Sequence, residues 1–130
     1  LRFESADPLQ ILEPVISAEE LIGLQKARSQ VRVEESLRRY IVQVARATRN
    51  HEAVQLGVSP RGTLALYKAA QALAAIRGRD YAIPDDVKEL ASSVLTHRII
   101  VSPQTRLRGR TPQQIVQETV DSVPVPVDKL

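Results

Sequence analysis

Apolar side chains recur at helical spacing along most of this chain. Leu37, Ile41, Val44, Ala45 and Thr48 lie three and four residues apart, which predicts an amphipathic helix from Glu34 to about Arg49, with Arg39 and Arg46 on its other side. From Pro60 to Arg77 the stripe widens: Leu64, Leu66, Ala70, Leu73, Ile76 and the alanines between them leave hardly any polar face. Such a helix belongs at the centre of a bundle, where alanines let neighbours approach closely. Gly78 suits the position past its C-terminus, and Arg77 complements the negative helix end. A further helix is expected from Pro84, with Val87, Leu90, Ala91, Val94 and Leu95 as its stripe and Asp85 and Asp86 as ordinary first-turn acids. "HRIIVSP" is short and β-branched and predicts extended chain. Two capping boxes complete the set. Ser17 with Glu20 opens a helix running to about Ser29; Thr111 with Pro112 and Gln114 opens one ending near Ser122. The expected fold is all-α, a small helical bundle of four to five helices with a short extended segment near 97–102.

Prolines set the expected boundaries. Pro8 and Pro14 bias the residues before them away from helix, so residues 1–16 read as a linker, 17–122 as the helical domain, and "VPVPVDKL", 123–130, as an extended or disordered tail. At 130 residues and 43% hydrophobic, the chain can bury one real core. It contains no methionine and begins at Leu1, as expected of a piece of a longer protein, whose upstream part could then hold the other half of a site.

Composition removes several chemistries. With no cysteine and only His51 and His97, far apart, there is no disulfide frame, thiol nucleophile or ordinary zinc site, and no metal site is expected. No apolar run approaches the roughly 20 residues of a membrane span, and the start lacks the order of a secretion signal, so a soluble, cytoplasmic chain is expected. None of the five glycines is followed by lysine, so the phosphate loop G-x-x-x-x-G-K-[ST] is missing. The net charge is +3, and arginine supplies 14 of the 18 cations. Arg98, Arg106, Arg108 and Arg110 fall in a stretch without acids, whereas Glu4, Asp7, Glu13, Glu19 and Glu20 gather near the start. A basic stretch of that kind leaves open a helical module that binds nucleic acid.

One charge breaks a local rule. In "LGVSPRGTLAL", Ser59 can cap a helix and Pro60 can take its first position, which puts Arg61 second, where the macrodipole repels a cation. Arg61 could point into water or pair with an acid, which would suit a purely structural adaptor. Alternatively, Ser59, Pro60 and Arg61 could open an anion site, in which helix amides and guanidinium converge on one phosphate.

The stretch "GVSPRGTLALYKAAQALAAIRGRDYAIPDDVKELASSVLTHRII" resembles the C-terminal helical lid of MoxR-type AAA+ ATPases. The likeness extends through "LRGRTPQQIVQETVDSVPVP" and back to "VEESLRRYIVQVARATRNH". By this resemblance, Arg61 matches the sensor-2 arginine that reaches the γ-phosphate. ATP and magnesium would then be held by a nucleotide-binding core outside this chain, with its own core and neighbouring subunits of a homo-oligomeric ring as partners, and with a client protein to remodel or mature. The fragment alone would not hydrolyse ATP. Such lids often have Thr or Ser before "PDDV"; here Ile83 stands there, which leaves this helix poorly capped unless Asp80 or water substitutes.

Overall fold

A computed structural model describes residues 7–127. Its six α-helices are α1 (Ala18–Ser29), α2 (Glu35–Asn50), α3 (Pro60–Ile76), α4 (Pro84–Leu95), α5 (Pro103–Leu107) and α6 (Pro112–Ser122). Two short strands, β1 (Val54–Leu56) and β2 (Ile100–Val101), pair antiparallel. The fold is an all-α bundle with a minor two-stranded clip.

The bundle forms where the sequence stripes meet. α2 buries Leu37, Tyr40, Ile41, Val44, Ala45 and Thr48; α4 buries Val87, Ala91 and Leu95; α6 buries Ile115, Val116 and Val120. α3 does not fill the centre as its composition led one to expect. It buries one face only, through Gly62, Leu66, Ala70, Gln71 and Ala74, while Leu64 is 50% and Ile76 82% exposed. The small residues on that face let α4 lie close against it, so the centre is shared by four helices. Gln71 carries no apolar signal, yet it is buried: its amide donates to the Val31 carbonyl at 2.8 Å and accepts from Arg28 at 3.0 Å, tying the end of α1 to α3.

The expected extended stretch is shorter than "HRIIVSP". Thr96–Arg98 form a single 3-10 turn, and only Ile100 and Val101 are strand. They pair with β1, which three residues at the end of α2 were too few to announce, and the Ser102 amide reaches the Ala53 carbonyl at 2.9 Å. The five-residue α5 likewise lacks a periodic signal and starts on the Ser102 cap. Both expected capping boxes form at α1 and α6. Residues 1–6 and 128–130 of the expected linker and tail lie outside the described residues. Pro8–Ile11 make a 3-10 turn on an Asp7 cap, and Val123 is buried.

α3 and α4 form an antiparallel hairpin. It turns through Arg77 and Gly78, whose φ of 72° is a left-handed conformation glycine adopts without a Cβ clash. The chain after it is pinned to the α1–α2 connection, with the Arg32 amide donating to the Asp80 carbonyl and the Ala82 amide to the Arg32 carbonyl.

Candidate functional site

Ser59, Pro60 and Arg61 start α3 as the sequence predicts. The Ser59 hydroxyl accepts from the Gly62 amide at 3.2 Å, its carbonyl accepts the Thr63 amide at 3.0 Å, and Pro60 has no amide to satisfy. Arg61 stands in the first turn, exposed, and among the described residues its side chain makes no hydrogen bond or ion pair. Among the described residues, the intramolecular ion pair that would have made Arg61 a structural residue does not form. A guanidinium and a helix N-terminus thus face solvent together, a donor set suited to a phosphate.

The loop beneath this turn is tightly seated. The Val58 amide donates to the Thr48 hydroxyl at 3.0 Å, and that hydroxyl donates to the Ala45 carbonyl at 2.6 Å. Arg49 Nε donates to the Val58 carbonyl at 2.8 Å. Gly57 lies so close to α2 that a Cβ there would stand 2.7 Å from both the backbone N and Cα of Arg49. On the far side, a Cβ on Gly62 would stand 2.7 Å from Val58 Cγ1 and 3.1 Å from Arg98 Cδ. Neither glycine has a positive φ, so close approach explains both.

Two arginines that the sequence did not assign to this site join it: Arg49, which no pattern singled out, and Arg98 of the basic stretch. Arg49 and Arg98 line a groove of about 540 Å³ together with Gly57, Ser59 and Pro60. The groove adjoins a second, of about 440 Å³, with Ile41, Leu64 and Tyr67 among its apolar walls and Arg38 and Arg46 at its margin. No local signal tied either arginine to the start of α3.

The basic stretch is not one free row. Arg110 pairs with Glu118, and Arg98 Nη1 donates to the Val94 carbonyl at 2.5 Å and touches His97. His51 accepts the Ala53 amide on Nδ1 at 3.1 Å, and its Nε2 lies 3.5 Å from the Glu118 carboxylate.

Asp85 and Asp86 are not equivalent first-turn acids. Asp85 is exposed, but Asp86 is fully buried and accepts two hydrogen bonds from Arg79, at 2.9 and 2.5 Å. It also accepts the Ile83 amide at 2.9 Å, with Arg77 3.6 Å away. Asp86, rather than Asp80, therefore meets the Ile83 amide, while among the described residues no side chain caps the first-turn amides of α4. Burial pushes its carboxyl pKa up, but the Arg79 hydrogen bonds, the Ile83 amide and the charges of Arg79 and Arg77 outweigh that and hold it below the ordinary value.

The AAA lid domain family matches residues 46–119. The chain is 33% identical over 121 residues to Chaperone MoxR1 of Mycobacterium tuberculosis, covering 86% of this chain and 32% of that protein. It is 46% identical over 126 residues to the uncharacterized protein YeaC of Bacillus subtilis, covering 97% and 39%. A crystal structure of a putative ATPase from Cytophaga hutchinsonii superposes with a TM-score of 0.82 at 27% identity, over 88% of this chain and 38% of that one. The chain thus spans well under half the length of these relatives.

Proposed function

Since the chain belongs to the AAA lid domains of the MoxR-type AAA+ ATPases, we propose that it is the sensor-2 lid of an ATP-hydrolysing ring subunit, with Arg61 as its γ-phosphate contact. The observation that carries this reading is an exposed arginine, without a partner among the described residues, on the first turn of a helix whose start is fixed from two sides. A pre-fixed cation at the place where negative charge spreads during phosphoryl transfer lowers the barrier without reorganising at the moment of reaction. ATP and magnesium would be held by the nucleotide-binding core of the parent protein; Ser59, Pro60 and Arg61 would meet the phosphates from the lid side.

Loss of the γ-phosphate removes the Arg61 contact and frees the lid to move as a rigid body about the 1–16 linker. In a homo-oligomeric ring in the cytoplasm, that motion would be transmitted to the core and neighbouring subunits and so to a client protein that is remodelled or matured. The name of the Mycobacterium tuberculosis relative, a chaperone, supports this direction. Alone, the lid is not expected to hydrolyse ATP, since it lacks the phosphate loop.

The test is Arg61→Ala in the full-length ATPase, measured as steady-state turnover and nucleotide affinity. Turnover is expected to fall by about 10²-fold or more, the scale seen when a transition-state charge donor is removed. Normal turnover with normal affinity would rule the assignment out.

A further inference from the structure

Arg98 is the side chain that bridges the two ends meeting beside Arg61. Its stem crosses the first turn of α3 beside the place where a Cβ on Gly62 would stand, with Cδ 3.1 Å from that position. Its guanidinium donates back to the Val94 carbonyl, in the last turn of α4. Glycine inside a helix is destabilising relative to alanine. That cost recurs here at the residue next to Arg61, where its effect is to admit Val58 Cγ1, 2.7 Å from the Cβ position, and the stem of Arg98 next to it.

We infer that Arg98 is a positioning residue for Arg61: it fixes the first turn of α3 against the end of α4, and so fixes the direction from which the Arg61 guanidinium reaches an anion. The inference rests on the sensor-2 reading and names the residue through which that contact is held to the rest of the lid. Two features separate this role from ordinary packing. Arg98 sits in the same groove as Ser59 and Pro60, so it acts where the phosphate contact would be made. Its polar partners, the Val94 carbonyl four residues earlier and the His97 ring, hold the guanidinium at the end of α4 while the stem lies against α3, so its length and its donor both matter, not its charge alone. Lysine retains an aliphatic stem and one donor; alanine retains neither.

The experiment measures kcat and KM for ATP in the full-length ATPase carrying Arg98→Ala, Arg98→Lys, Arg61→Ala, and Arg98→Ala with Arg61→Ala. A misplacement of about 1 Å at a catalytic group can cost up to about 10²-fold. Arg98→Ala is therefore expected to lower kcat about tenfold while KM moves less than about twofold, and Arg98→Lys to recover most of the loss. In the Arg61→Ala background, Arg98→Ala is expected to cost nothing further, because the residue it positions is gone. Unchanged kcat in Arg98→Ala, or an undiminished loss in that background, overturns the inference and leaves the sensor-2 reading standing. Normal turnover in Arg61→Ala overturns both.

Amide hydrogen exchange on the 130-residue chain supplies the folding control. Arg98→Ala is expected to speed exchange at residues 61–63 and leave α2 and α6 protected. Faster exchange throughout the bundle would make Arg98 a general packing residue and overturn the positioning role.

Discussion

A cation at the second position of a helix works against the macrodipole by roughly 0.3 to 1 kcal/mol, and Arg61 has no carboxylate partner among the described residues to offset it. Arg61→Gln should therefore raise the urea midpoint of this chain slightly while removing the proposed phosphate contact, a gain in stability that would accompany a loss of function. Equilibrium unfolding reads the first effect, and a lowered midpoint would show that the side chain has a stabilising partner after all. Asp86 sits at the opposite extreme, buried and fully engaged. Asp86→Ala strands the Ile83 amide and two arginines, and is expected to destabilise the chain by about 3 kcal/mol in urea unfolding. Its folded pKa lies below the unfolded one, so its contribution is complete above about pH 4, the ordinary aspartate range, and disappears as pH falls through the folded value. Glu20 and Glu118 are lowered as well and share the acid response. Asp86→Asn isolates the part due to Asp86: its stability should decline less steeply below about pH 4 than that of the parent chain. From the sequence, Asp85 and Asp86 looked alike, because both suit a helix start; only the return of Arg79 from the α3–α4 turn distinguishes them.

For the elements, the start of α3 is held by the Ser59 cap, and Ser59→Ala is expected to cost about 1 kcal/mol, measurable as a lowered urea midpoint. Gly57→Ala should lower the urea midpoint, because the new methyl meets the Arg49 backbone as well as its Cγ, and the backbone cannot swing away. α2, α3 and α4 were legible in the sequence because 12 to 17 residues give a periodic stripe several turns to repeat, and α1 and α6 through their capping boxes. β1, β2 and α5 were not, since two to five residues carry no period, and the strands exist through pairing of Val54 with Val101 and Leu56 with Ile100, far apart along the chain. The site was half legible for the same reason. Ser59, Pro60 and Arg61 follow from local capping rules, whereas Arg49 and Arg98 arrive from other elements by tertiary folding.

Across the whole molecule, the exposed apolar side chains Leu9, Leu12, Val15, Leu21 and Leu24 cluster in the first described part of the chain, where α1 buries no residue. The basic stretch, broken by the Arg110 pair and the Arg98 bridge, offers no continuous track for a phosphate backbone. Fluorescence anisotropy is expected to show no saturable binding of duplex DNA or RNA even at low salt. Tight binding that weakens steeply with salt would instead favour a nucleic-acid role. The α3–α4 hairpin also has two unlike ends. At the Asp86 end, arginines grip a carboxylate that acid can protonate; at the Arg61 end, Arg49 grips a backbone carbonyl, and Arg98 a backbone carbonyl and the His97 ring, so no carboxylate takes part. Carboxylate protonation should therefore open the hairpin from the turn, the end remote from the proposed phosphate contact. The molecule has a sacrificial end and a preserved end, and a lid stressed by low pH would loosen at its back before it lost its grip at the front.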